Sequence, residues 1–328
     1  MIICKTPLRI SFFGGGTDYP IWFEKYGGSV IGTTIDKYCY ISCRWLPRFF
    51  DHKYRIVYSK MENTTSIDEI NHPSVRECIR FSGLHEGIEV HHDSDLPARS
   101  GLGSSSSFTV GMLNCLNALK GTYITKKQLA CDAIYVEQEK IGENVGSQDQ
   151  IHAAYGGFNF IEFLPKGEFS VHPVIIKSKS LKVLQDHCLL FFTGISRFAS
   201  DVAADQIHRT PKIKNELNEM KTMVPIARKL LSDHTLKIEE FGRLLHESWK
   251  IKKTLSKKIS TDPIDKIYAQ ARKKGAIGGK LLGAGGGGFI LFIAKPEYHR
   301  DIREILANIL HVPFRFENSP SQIIFHEA

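Results

Sequence analysis

Several segments of this 328-residue chain combine residue types that can do chemistry on an anion. The most informative is Pro97-Ala98-Arg99-Ser100-Gly101-Leu102-Gly103-Ser104-Ser105-Ser106-Ser107, followed at once by the apolar run from Phe108 to Leu119. Gly101 and Gly103 have no Cβ, so the backbone there can bend tightly and approach a ligand. The four serines open a helical pattern. Backbone N–H groups at such an end have no intrahelical partner, and the helix dipole is positive there. The combination is an anion site, and a polyphosphate is its natural occupant. The plainer alternative is a Ser-capped helix after a flexible turn.

A second segment, Arg9-Ile10-Ser11-Phe12-Phe13-Gly14-Gly15-Gly16-Thr17-Asp18-Tyr19, runs a strand into three glycines and a polar pair. Arg9 alternates with apolar neighbours, which points it either into a cleft or onto the surface. A third runs from Glu137 through Gly142 and Gly146 to Gln148-Asp149-Gln150 and links a helix end to a Gly-rich loop. An aspartate on such a loop can act as a base or simply form the turn. The fourth, Gly283-Ala284-Gly285-Gly286-Gly287-Gly288, contains G-x-G-x-x-G but precedes the strand-like run Phe289–Ala294. A dinucleotide turn precedes a helix, so that reading is refused. Lys280 is followed by Leu281, so no Walker A sequence exists either. The plainer alternative is a glycine hairpin between two buried strands, but four consecutive glycines carry an entropic cost that favours close approach to a ligand or to another backbone.

The elements that must position these segments are legible in outline. Strands are expected at 8–13, 29–35, 38–45, 55–58, 88–92, 157–163 and 169–176, with helices at 74–81, 105–119 and 126–141. A buried strand is expected at 188–193. Residues 198–255 are helix-periodic, with breaks near Pro211 and Ser232-Asp233. The end reads helix 264–273, strand 277–282, glycine turn, strand 289–294, helix 297–310 and strand 322–326. The texture changes near residue 185, where a domain boundary is placed. Repeats and low-complexity linkers are absent from the sequence.

The hydrophobic fraction of 42% and charged fraction of 24% are ordinary for a globular protein. No apolar run approaches the roughly 20 residues of a bilayer span, and the first residues lack a signal pattern. The expectation is a cytoplasmic protein with no membrane association. Seven cysteines without C-x-x-C spacing read as reduced, mostly buried thiols. The net charge of +8 suits an anionic substrate. Basic clusters such as Lys250-Ile251-Lys252-Lys253 read as solvated helix faces, and no basic stripe with aromatics points to nucleic acid.

In this order, the segments resemble the motifs of the GHMP kinase superfamily, over nearly the whole chain. The resemblance implies an α+β fold: an N-terminal α/β domain, 1–185, and a ferredoxin-like C-terminal domain, 186–328, with the active site in the cleft between them. It implies ATP and Mg²⁺. Pro97, Gly101, Leu102, Gly103, Ser104, Ser105, Ser106 and Ser107 would hold the nucleotide. The first segment is similar to galactokinase's R-V-N-L-I-G-E-H-T-D-Y, with Gly15-Gly16 where that motif has Glu-His. The stretch E-x-x-x-x-G-x-x-x-G-x-x-D-Q matches from Glu137 to Gln150. By that likeness Asp149 is catalytic with Arg9 beside it, and Ser105 and Glu137 are Mg²⁺ ligands. Gly15, Gly16, Thr17, Asp18, Gly285 and Gly286 would face the substrate, with Arg197 a candidate for a substrate phosphate. The run K-T-P-L-R-I-S-F-x-G-G-G-T-D is most similar to the D-glycero-D-manno-heptose 7-phosphate kinases, which implies phosphorylation of the anomeric hydroxyl of a sugar phosphate. The alternatives are another sugar kinase of the superfamily or a non-catalytic ATP and sugar sensor. A monomer or homodimer is expected.

Overall fold

The computed structural model describes residues 1–98, 100–195 and 199–327. Two antiparallel-rich sheets organise them. The first is built on β1 (Ile2–Phe13) and, after the short helix α1 (Pro20–Tyr26), the long strand β2 (Gly28–Trp45). These two pair along almost their whole length. Beyond them come β3 (Tyr54–Val57), β4 (Met61–Thr64), α2 (Pro73–Ser82) and β5 (Ile88–Ser94). On its other edge β2 changes partner along its length. Its C-terminal half pairs with β5, and its first residues pair with β6 (Phe158–Phe163), which carries β7 (Phe169–Pro173).

The sequence predicts a break in β2 at Asp36-Lys37, yet the strand runs through. The Asp36 N–H and carboxylate both bond the backbone of Arg315, at 2.9 and 2.7 Å. The polar pair therefore marks the change of partner rather than a turn.

Helix α3 (Ser104–Leu119) packs on β1 and β2, with α2 and α5 (Gln148–Tyr155) against its sides. It is buried nearly all round. Val110, Met112, Leu113, Cys115 and Leu116 are inaccessible to solvent. Each large apolar side chain so buried contributes roughly 1.5–3 kcal/mol relative to exposure, so the helix's polar N-terminus is firmly anchored. Helix α4 (Lys126–Tyr135) continues into a π-helical turn, Val136–Ile141, where the sequence predicts one helix to 141. Such wide turns recur at functional sites, and this one carries Glu137.

The second sheet follows α6 (Ser178–His187). It comprises β8 (Cys188–Phe192), then, after α7 (Ala199–Arg209), α8 (Lys214–Ser232), α9 (Ile238–Leu255) and α10 (Asp262–Lys273), the hairpin β9 (Ala276–Leu281) and β10 (Phe289–Ala294). Helix α11 (His299–Ile305) leads to β11 (Leu310–His311). The strand order is β11-β8-β10-β9, all antiparallel. That is the order of a ferredoxin-like sheet, with the helices inserted between its first two strands and between its last two. The expected helix 297–310 is shorter, because residues past Leu306 turn to pair β11 with β8. The chain then returns to the first sheet, where β12 (Phe316–Glu317) pairs with β2 and β13 (Gln322–His326) with β1.

All seven cysteines are free thiols, and all but Cys131 are buried. Among the described residues no helix is long and apolar enough to cross a membrane.

Candidate active site

Arg9 leaves the middle of β1 and is 3% exposed. Its guanidinium forms a fork on Asp149 at the start of α5. Nε donates to Oδ1 at 2.7 Å and Nη2 to Oδ2 at 2.6 Å. The third arm, Nη1, donates to the Gly101 carbonyl at 2.7 Å, and the Arg9 backbone N–H donates to the Leu102 carbonyl at 2.9 Å. One arginine thus ties the serine loop to the carboxylate. Bidentate pairing fixes the carboxylate plane as well as its position, and Asp149 sits in the first turn of its helix, where the dipole favours negative charge.

The serine loop enters α3 through Gly103, which caps the helix in the left-handed conformation. The first intrahelical bond runs from the Ser107 N–H to the Gly103 carbonyl, so the amides of Ser104, Ser105 and Ser106 lie outside the helix's own ladder. Ser105 is exposed and Ser104 partly so. Ser106 and Ser107 turn inward. The Ser107 hydroxyl donates to the Pro7 carbonyl at 2.9 Å, and that of Ser106 to Glu137 Oε2 at 2.8 Å. Leu102 is fully buried and acts as the loop's apolar anchor, while Pro97 is exposed at its entrance.

Glu137 is inaccessible to solvent, and Gln150 also donates to its Oε2. Burial pushes its carboxyl up to about 7. The other oxygen, Oε1, is buried without a hydrogen-bond partner. Among the described residues no group of three or more His, Cys, Asp or Glu side chains could hold a metal ion. A buried carboxylate oxygen without a partner, with the exposed Ser105 one residue before the serine that bonds the same carboxylate, fits Mg²⁺. That ion takes one or two protein oxygens and completes its shell with phosphates and water.

Asp18 is 2% exposed and accepts from the Gly16 N–H and from Gln148 Nε2, both at 2.8 Å. Burial, and then the neighbouring Asp149 charge, push its carboxyl above the usual range against those bonds. Gly146 makes room for it, since a Cβ there would stand 2.0 Å from Asp18 Oδ2. The Thr17 hydroxyl donates to the carbonyls of Gly14 and Ser29 and receives the Ser29 N–H. It therefore pins the glycine turn to β2. Gly15 looks onto Gln148, and Gly16 onto Gln206 of α7.

The second glycine cluster meets backbone. A Cβ on Gly283 would stand 2.5 Å from Gly101 Cα, and one on Gly285 would stand 2.8 Å from Ile259 Cα. The Gly286 N–H donates to the Ile259 carbonyl at 2.9 Å. The glycines thus seat the β9–β10 turn against the serine loop and the chain leading to α10. Arg197 lies outside the described residues.

Two site lysines escape a reading by charge clusters. Lys252 of α9 is 5% exposed and is no part of a solvated face. Its position is legible in the helical stripe Leu245, Trp249, Lys252, Leu255, all buried. Its Nζ donates to the carbonyls of Leu281, at 3.3 Å, and of Gly283. Lys280, the lone charge in β9, donates to the Phe12 carbonyl at 2.9 Å. Burial lowers both ammonium groups, Lys252 to about 8 and Lys280 well below its usual value.

Residues 73–157 match the model of the GHMP kinases N terminal domain, and residues 228–310 match that of the GHMP kinases C terminal domain. A D-glycero-alpha-D-manno-heptose 7-phosphate kinase of Campylobacter jejuni is 33% identical over 89% of each chain. A bifunctional fucokinase/GDP-fucose pyrophosphorylase of Arabidopsis thaliana is 25% identical over 92% of this chain and 31% of its own length. The crystal structure of a D-glycero-D-manno-heptose 1-phosphate kinase of Bacteroides thetaiotaomicron superposes over the whole of both chains, with a TM-score of 0.82 at 23% identity.

Proposed function

The chain belongs to the GHMP kinases, and from that premise we propose that it transfers the γ-phosphoryl group of ATP to the anomeric hydroxyl of D-glycero-D-manno-heptose 7-phosphate, giving the 1,7-bisphosphate. The observation that carries the reading is the fork of Arg9 on Asp149, fastened by its third arm to the serine loop. It sets a carboxylate for the acceptor beside a loop suited to a polyphosphate. The Campylobacter relative supports the choice of sugar.

In this mechanism the amides of Ser104, Ser105 and Ser106 bind the nucleotide's phosphate oxygens. Mg²⁺, held by Ser105 and Glu137, would neutralise charge on the phosphates. Asp149 orients the anomeric hydroxyl and takes its proton as the new P–O bond forms and the bond to the β-phosphate oxygen breaks. Arg9 keeps Asp149 aimed and shares the charge that spreads over the transferring group. Asp18 and the Gly15-Gly16 turn lie on the acceptor side. The missing Glu-His pair removes a carboxylate that would repel a phosphorylated sugar. Arg197 is the sequence-based candidate for the sugar's own phosphate.

The product tests this. Incubation with ATP and the heptose 7-phosphate, followed by phosphorus NMR, is expected to give a second phosphate coupled to the anomeric proton. A new phosphate on any other carbon, or ADP release without a sugar product, would remove the anomeric assignment.

A further inference from the structure

A buried ammonium needs an anion to offset its lost hydration. Lys252 is buried, yet the two acceptors that hold its Nζ are neutral carbonyls, those of Leu281 and Gly283. Gly283 lies directly on Gly101, whose carbonyl is held by Arg9. A short path of contacts therefore runs from α9, through both glycine loops, to the Arg9–Asp149 fork. The neighbouring charges are Arg9 from β1, Asp18 from the loop after β1, Asp149 from α5 and Lys280 from β9. The buried face of α8, packed on α9, is apolar and includes Leu217, Met220, Met223 and Val224. Three basic groups thus face two carboxylates, and burial favours the neutral form of one of these, Asp18. Lys280 is committed to the Phe12 carbonyl and driven toward its neutral form. Lys252, which also has the Asp149 charge beside it, is lowered less. The cluster lacks one anion, at the seam between the loop that suits the nucleotide's phosphates and the carboxylates that suit the acceptor.

We propose that Lys252 contacts the γ-phosphate of ATP from the C-terminal half of the chain, as a second cation beside Arg9. The inference rests on the reading of the chain as an ATP-dependent kinase, but not on the identity of the sugar. Lys252 moves no proton in the reaction. It supplies charge to the group in flight and ties completion of the site to the seating of the β9–β10 turn.

The test is nucleotide binding by calorimetry on the full chain with Mg²⁺, comparing ADP with the β,γ-imido analogue of ATP. Lys252→Met is expected to weaken the triphosphate analogue about 10- to 100-fold, the range of a lost charged hydrogen bond, with ADP held within about twofold. Lys252→Arg is expected to retain the preference. In the wild-type protein, affinity for the analogue relative to ADP is expected to fall as pH rises through about 8, and in Lys252→Arg to hold. Equal losses for both nucleotides in Lys252→Met, or no loss for either, would show a loop clamp and overturn the proposal. Should Lys252→Met fail to fold, the pH comparison of wild type with Lys252→Arg decides, since a clamp would leave the ratio of the two nucleotides flat. A wrong sugar assignment would show differently, as absent turnover with γ-phosphate discrimination intact.

Discussion

Arg9 and Asp149 lie 140 positions apart and meet through two parallel hydrogen bonds of 2.7 and 2.6 Å. Arg9 is almost fully buried and Asp149 is partly open, with side-chain exposures of 4% and 23%. The pair is therefore reached from solvent mainly on the Asp149 side, where the proposed acceptor hydroxyl would approach. Asp149→Ala is expected to lower turnover by about 10²–10⁴, the range for a positioned acid–base group. Nucleotide affinity should stay within a few-fold, because in the proposed mechanism the serine loop, not Asp149, binds the phosphates. Steady-state kinetics with parallel ADP binding checks both. Turnover above half of wild type would take the catalytic role from Asp149.

The Glu137 pocket makes a separate prediction. Its Oε2 is occupied by Ser106 and Gln150, while Oε1 is buried without a hydrogen-bond partner. Glu137→Gln and Ser105→Ala should each raise the Mg²⁺ concentration for half-maximal activity at fixed ATP, since each removes a hard oxygen ligand or its charge. Unchanged midpoints in both variants would refute the assignment of the ion to this pair.

Much of this site is legible in the chain, because its chemistry is carried by short contiguous segments. The serine loop, the Arg9 strand, the Asp149 loop and the glycine turn each announce a backbone geometry that few residues permit. Single residues whose role depends on packing are less visible. Ser106 rather than Ser105 bonds Glu137, because one residue's rotation at the start of α3 decides which hydroxyl faces α4's extension. Lys252 sits in a basic tetrapeptide that suggests solvent, and only the apolar spacing of Leu245, Trp249 and Leu255 places it inside. The run through Asp36-Lys37 depends on Arg315, 279 residues away, which no local pattern reveals. The glycines at 283 and 285 signal close approach, but only the fold shows that the neighbours are Gly101 and Ile259.

Asp18 couples the site to stability. Burial raises its carboxyl in the folded state above the ordinary 3.8. The native protein then holds a proton that the unfolded chain has released, so this group's contribution is fully present below the ordinary value and is lost as pH rises through the raised one. Asp18→Asn carries no charge at any pH. Gln148 can turn its unpartnered Oε1 toward the new amide. Thermal melting from pH 4 to pH 8 is expected to show the variant gaining on wild type as pH rises. Parallel curves would contradict the buried, proton-holding Asp18.

The central claim is that this kinase acts on a sugar already carrying a phosphate, and a comparison of kcat/KM across acceptors tests it most directly. Heptose 7-phosphate, free mannose, free galactose and free fucose are assayed at saturating ATP and Mg²⁺. A substrate phosphate gripped by a charged partner contributes about 2–5 kcal/mol that the free sugars lack, so heptose 7-phosphate should lead by roughly 30-fold to several thousandfold. Comparable efficiency with any free sugar would contradict the account and make the protein a plain sugar kinase.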